Sequence, residues 1–238
     1  MRSTSPTSAA RLRDLRTELR SHADPRKAET HRGFFKNCRD DIFLGVTAPV
    51  IRTLAQTHST LPLNIVRRLV HSRVHDEGSL GRAILVLKFV RGDEREKKKI
   101  YRFYLAERGT IRDWDGVDDS APHIVGGYLM ERDRALLYRL IRSRSLWDRR
   151  IALVATLHFI RRGDLTDTYR LTRNVLNDRE DLIHKAAGWM LREAGKRDPR
   201  RLRAFLRSNY PKLPRTTLRY AIERFSPQER KRWLAGPV

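Results

Sequence analysis

Apolar residues recur along this chain at spacings of three and four, and β-branched alternating runs with glycine-rich hairpin turns are missing. In 182–194, Leu182, Ile183, Ala186, Ala187, Met190, Leu191 and Ala194 form one unbroken helical stripe. Stripes of the same kind predict further helices over roughly 9–21, 26–37, 47–57, 62–71, 79–91, 94–107, 120–130, 133–142, 146–161, 165–176, 199–208, 214–225 and 227–234. Between them stand short helix-start signals: Asp24-Pro25, Gly92-Asp93, Gly163-Asp164, Asp198-Pro199 and Ser226-Pro227. The fold class this predicts is all-α. No Pro/Gly/Ser linker divides the series, so 9–238 is expected to form one domain behind a flexible tail, 1–8.

The stripes also repeat. A polar residue followed by small and apolar ones opens the same part of successive helices: Arg82-Ala83-Ile84, Arg150-Ile151-Ala152, Lys185-Ala186-Ala187 and Arg219-Tyr220-Ala221, with Asp118 at the corresponding place between the first two. The intervals are 36, 32, 35 and 34 residues, the size of a two-helix unit. Such units bury their apolar faces only by stacking, and the expected architecture is a curved solenoid with equivalent positions along its concave side. Those positions read Arg82, Asp118, Arg150, Lys185 and Arg219. The wall is basic except at one carboxylate.

Charge strengthens this reading. Of 238 residues, 51 are Lys or Arg against 28 Asp or Glu, a formal charge of +23, and 41 of the 51 are Arg. An excess of that size on a folded surface repels itself unless a polyanion shares it. Arg suits planar, bidentate phosphate contacts. Nucleic acid is the expected partner. No apolar run approaches the roughly 20 residues of a membrane span, and MRSTSPTSAA lacks the apolar core of a secretory signal. With Cys38 alone, neither a disulfide framework nor a multi-cysteine zinc site can form, and a reduced, cytoplasmic protein is expected. Dinucleotide, phosphate-loop and HExxH patterns are absent, so no cofactor is expected. His71 and His75 have the i, i+4 spacing of a metal pair but no acidic or Cys partner at ligand spacing, so no metal is expected either.

Four of the seven residues in Asp113-Trp114-Asp115-Gly116-Val117-Asp118-Asp119 are acidic. On a helical projection Asp113, Asp115 and Asp119 point away from the apolar stripe, whereas Asp118 falls inside it, one turn from Trp114. A carboxylate there is costly unless hydrogen-bonded or required by chemistry. Pro122 removes the N–H that would meet Asp118's carbonyl, which predicts a helix start or kink at Asp118 with free N–H groups beside its side chain. The plain alternative is a helix cap beside a core Trp. Trp189 lies on the polar shoulder of its helix between Lys185 and Arg192, placed either for a helix interface or for a base, sugar or cationic ring. Trp147 is expected to pack between repeats and Trp233 in a capping helix.

These segments resemble a known family. WDGVD (114–118), LWDRR (146–150) and HKAAGWMLRE (184–193) are similar to the AlkD family of bacterial DNA-alkylation-repair glycosylases, as is Phe34-Phe35-Lys36-Asn37 followed by Phe43-Leu44-Gly45-Val46 and Pro49. The resemblance covers about 11 to 235 in order. It implies HEAT-like repeats and a monofunctional enzyme that removes positively charged N3- and N7-alkylated purines from duplex DNA, leaving an abasic site. Trp114 and Trp189 would pack on the lesion deoxyribose, Asp118 would be the catalytic carboxylate, and Arg150 and Arg192 would bind the DNA backbone. Phe34, Thr47 and His158 stand at further DNA-contact positions, where the family often has Tyr, Gln and Lys. The lesion would be held without a base-flipping pocket. A monomer acting on double-stranded DNA is implied.

The chemistry is consistent with these residue types. An alkylated purine is already a cationic leaving group, so the glycosidic bond loosens through an oxocarbenium-like sugar without a strong general acid. A fixed negative charge and a placed water are what such a reaction needs, and Asp118 can supply both. Two other classes share the basic wall: a non-catalytic DNA- or RNA-structure-binding solenoid, and a scaffold for an acidic protein. Asp118 separates them, because a pure binder gains nothing from a carboxylate in an anion-binding groove.

Overall fold

The computed structural model describes residues 8–35, 38 and 40–236. Residues 1–7 of the expected tail, and Lys36 and Asn37 of the N-terminal motif, lie outside the described residues, while Ser8 already opens the first helix. Among the described residues regular structure is helical, apart from an isolated parallel bridge between Ile42 and Val74. The all-α class and the two-helix repeat follow the expectation.

The chain divides into two compact units, one up to Ser120 and one from Ala121. The first holds α1 (Ser8–Ser21), α2 (Pro25–Phe34), α3 (Ala48–Thr57), α4 (Leu63–Val70), α5 (His75–Arg91), α6 (Glu94–Glu107) and the short α7 (Trp114–Asp118). Leu15, Ile65, Leu69, Leu80, Ile84 and Ile100 form its buried core. The predicted caps form: Asp24 accepts from the N–H groups of Arg26 and Lys27, and Asp93 from that of Glu96.

The second unit begins with a π-helical turn, Pro122–Gly126, and α8 (Gly127–Leu129), then α9 (Ala135–Leu140), α10 (Leu146–Arg161), α11 (Thr166–Asn174), α12 (Asp181–Arg197), α13 (Pro199–Asn209), α14 (Arg215–Ala221) and α15 (Pro227–Ala235). Helices α10, α12 and α14 pack side by side in a ladder, and α11 and α13 pack against α10 and α12 as a second row. Gly188 sets the α12–α14 approach: a Cβ there would lie 2.5 Å from the Cβ of Tyr220 and 2.7 Å from the carbonyl of Thr217. Trp233 is 1% exposed, the core residue of α15 that the sequence predicts.

Several arginines are engaged by carboxylates of the fold itself. The buried Glu77 takes Arg16 at 2.8 Å and Arg20 at 3.5 Å. Arg134 bonds Asp164 and Asp167 at 2.6 Å and lies over the Phe159 ring. Arg149 grips Asp178, and Arg203 grips Glu229. Part of the basic complement therefore neutralises carboxylates within the fold, and the net excess of +23 remains for partners.

Candidate functional site

Helix α7 carries two of the expected residues one turn apart. Asp113 caps it, its Oδ1 accepting the N–H of Gly116 at 2.8 Å, and the helix ends at Asp118. Of the expected start or kink at Asp118, the start is corrected: that residue closes a helix. The break is where the sequence places it. Pro122 cannot donate to the carbonyl four residues back, and the chain passes instead into a π-turn in which the N–H of Gly127 reaches the carbonyl of Pro122. Asp118 and Trp114 are both half-buried.

Below α7 lies a charge cluster that the helical projection misplaces. Asp113 is 4% exposed and Asp115 is also largely buried, whereas only Asp119 points to solvent as expected. The Nε2 of buried His75, the first residue of α5, lies 3.3 Å from an Asp113 carboxylate oxygen and 3.2 Å from one of Asp115. These are ion-pair distances, with Nε2 off line for a hydrogen bond to either. The Arg82 guanidinium approaches Asp113 at 3.7 Å. It does so across Gly116, where a Cβ would stand 2.9 Å from the guanidinium carbon and 2.6 Å from Asp113 Oδ1. Arg82, read in sequence as part of an exposed basic wall, is 6% exposed and belongs to this cluster.

Each group's ionisation follows from its neighbours. Burial disfavours the His75 imidazolium, but the two carboxylates outweigh it and raise its pKa to about 9. Burial also opposes ionisation of Asp113, yet Arg82 and His75 hold that carboxyl well below the usual range. Burial and the charge of Asp113 push Asp115 up to about 6, against the pull of His75. Cys38 is driven to about 12 by burial and by nearby Asp113, Asp41 and Asp115, so its thiol stays protonated.

His75, Asp113 and Asp115 could each offer one ligand atom to a metal ion, all within 4.8 Å of one another. A cation there would have to displace the His75 proton and sit beside the Arg82 guanidinium. Two carboxylates facing an imidazolium and a guanidinium already balance, and we read the cluster as an ion-pair network. The sequence missed it because the carboxylates stand 38 and 40 residues after His75 (113 − 75 and 115 − 75). His71 takes no part: exposed at the end of α4, it binds Glu107 at 2.6 Å.

Aromatic stacking ties this cluster to Trp114. Phe35 lies 4.5 Å from the His75 ring and stacks on Trp114 at 5.2 Å, and Phe43 stacks on His75 at 4.9 Å. The indole N–H of Trp114 donates to the carbonyl of Phe34. Phe34 itself is 65% exposed, and Thr47 is half-buried just before α3.

In the second unit, half-buried Trp189 lines an open groove of about 450 Å³ between α10 and α12, with Leu157, Ile160, Arg161, Glu193 and Arg197. This is the shoulder position its helical phase predicts. Arg150 is 5% exposed and donates to the carbonyl of Leu182. Arg192 is engaged by Glu223 and, at 3.1 Å, by Glu193, and Lys185 by Asp181 at 2.8 Å. Arg219 is exposed on α14. His158 is pushed down to about 4, by burial first and then by Arg162, His123 and Arg161, so it carries no cation at neutral pH. Trp147 is half-buried near the start of α10.

The fold has a counterpart among solved structures. It is similar, with a TM-score of 0.69, to a structure described as "Predicted DNA alkylation repair enzyme from Enterococcus faecalis", at 16% identity over 87% of this chain and 98% of that one. At that identity the likeness shows a common fold of helical repeats. The model of the DNA alkylation repair enzyme family matches residues 15–225, and the chain belongs to that family. No curated sequence matches the chain. Family membership gives it a role in DNA alkylation repair, with DNA as its substrate. No described helix is long and apolar enough to cross a membrane.

Proposed function

We propose that the protein is a monofunctional DNA glycosylase that hydrolyses the N-glycosidic bond of N3- and N7-alkylated purines in duplex DNA. The observation that carries the proposal is α7, which presents Trp114 and Asp118 one turn apart in a chain of the alkylation repair family. As the cationic base departs, positive charge grows on the deoxyribose. Asp118 opposes that charge and holds the attacking water, a preorganised interaction worth a few kcal/mol. Trp114 packs on the sugar through its electron-rich face, which attracts the sugar more as it becomes cationic, and Trp189 offers an aromatic face of the same kind on the groove of the second unit.

Positioning is the work of the residues below. The stack through Phe35, and the ion pairs of His75 and Arg82 with Asp113, hold α7 in place. Arg192, Lys185, Arg219, Phe34 and Thr47 serve the DNA backbone, and Arg150, buried and bonded to the carbonyl of Leu182, braces α10 against α12. His158 serves as a neutral neighbour, a weaker role than a cation at that place would have.

The test uses a duplex with one N7-methylguanine, incubated with the protein in EDTA and then treated with alkali to cut abasic sites. Cleavage that disappears in Asp118→Asn while duplex binding persists supports the reading. Intact binding with no cleavage by the native protein transfers the function to a non-catalytic binder of DNA structure.

A further inference from the structure

A second basic feature of the molecule lies on the row formed by α11 and α13, away from the α10–α12 groove that holds Trp189. These helices enclose a hollow of about 280 Å³ whose walls include Tyr169, Arg170, Arg173, Arg201, Phe205 and Ser208. The three arginines are exposed, and among the described residues none of them forms an ion pair. That sets them apart from Arg134, Arg149 and Arg203 of the same unit, each of which is committed to a carboxylate.

Their side chains are nevertheless held in place. The Arg173 guanidinium lies over the Phe205 ring at 5.2 Å, and that of Arg201 over the Tyr169 ring at 4.9 Å. Stacking engages the flat face of a guanidinium and leaves its N–H edge for an oxyanion. Tyr169 and Phe205 are themselves packed together at 5.2 Å, so the two stacked arginines share one rigid floor. The Tyr169 hydroxyl is buried with no hydrogen-bond partner in the protein, an orphaned donor in the wall of a cationic hollow. The acidic neighbours have other partners: Asp198 accepts the backbone N–H of Arg201, and Asp167 is bound by Arg134 and Tyr138. Asp198 offsets one positive charge at most, and the repulsion among the three arginines that converge on the hollow favours a bound anion.

We propose that this hollow is a binding site for phosphate groups, with Arg170, Arg173 and Arg201 as its ligands. The phosphate has two conceivable sources with the same chemistry, the free phosphates of a nucleotide-like molecule and the phosphodiesters of a second stretch of DNA. The site stands apart from the excision reading and does not depend on it.

Calorimetric titration of the full chain with inorganic pyrophosphate tests the site. The triple variant Arg170→Gln, Arg173→Gln, Arg201→Gln is compared with a control that removes the same charge from exposed positions of α6: Arg95→Gln, Lys98→Gln, Arg102→Gln. The expected result is saturable binding whose Kd rises at least about tenfold in the hollow variant and less than about twofold in the control. Arg170→Gln alone, which disturbs neither ring contact and gives up only the contact of Arg170 with the Tyr138 hydroxyl, is expected to weaken binding several-fold with a small change in melting temperature. Absence of saturable binding to the native chain, or equal losses in the hollow and control variants, overturns the proposal. Competition identifies the source. An undamaged duplex that displaces pyrophosphate, and binds the hollow variant more weakly than the control, marks DNA backbone as the ligand. A duplex that leaves pyrophosphate bound marks a free phosphate.

Discussion

Deprotonation of His75 removes the cation facing Asp113 and Asp115, and folding stability is expected to fall as a result. The folded pKa of about 9 lies above the ordinary value of 6.5. The stabilisation is therefore complete below about 6.5 and is lost as pH rises through about 9. A difference of about 2.5 pKa units at ~1.36 kcal/mol each amounts to about 3 kcal/mol. No discount for solvent applies, since His75 is 7% exposed. For a chain of this size that corresponds to a melting temperature lower by roughly 6–12 °C. The Cys38 thiol, at about 12, stays neutral over this range, and the transition above pH 6.5 is that of His75.

The measurement is a series of thermal melts by circular dichroism from pH 6 to 9 at constant ionic strength, on the native chain and on His75→Gln. The net charge of +23 falls slightly over the same range, which relieves self-repulsion and acts in the opposite sense. The difference between the two proteins cancels that effect. It should be largest near pH 6 and shrink towards pH 9. A difference that stays flat across the range would refute the assignment of His75 as the cation of this network. Below pH 6 two effects oppose: Asp113, held low, contributes stability that is lost only in strong acid, whereas Asp115, held at about 6, regains stability on protonation.

Other expectations are simpler to measure. Gly188→Ala should cost about 1–3 kcal/mol by forcing α12 from α14, read as a lower denaturation midpoint, because the contact it meets at 2.7 Å is backbone. Gly116→Ala should displace the Arg82 side chain from Asp113 and lower both stability and excision, with the loss of stability visible by melting in the absence of DNA. His158→Gln should leave DNA affinity at neutral pH unchanged, since the imidazole is uncharged there, and a marked loss would contradict its pKa of about 4. If about six phosphates are contacted, the logarithm of the association constant should fall with the logarithm of salt at a slope near −5. A slope near zero would exclude an electrostatic DNA surface.

Most helix boundaries were legible in the chain itself, because the period of apolar residues and the Asp, Ser and Pro start signals are local properties. Asp24, Asp93, Asp198 and Ser226 each cap the helix expected of them. Asp118 and Trp189 stood out for a similar reason, each being the wrong residue type for its place on a helical face, whereas Trp114 was marked by the family resemblance of its motif. Helix α7 itself was hidden, since five residues are too few to show a period.

Charge partners were not legible. A helical projection sends Asp113 and Asp115 to solvent, because it knows only the helix they are on and nothing of α5 packed beneath. Arg82 and Arg150 looked like surface cations by their repeat positions, yet both are buried and bound. Sequence determined the helices, their order, the repeat and the net charge, all of which depend on neighbours within a few residues. Tertiary structure alone decided which arginines neutralise buried carboxylates and which stay free for an anion, because ion pairing joins groups by distance in space and ignores their separation along the chain.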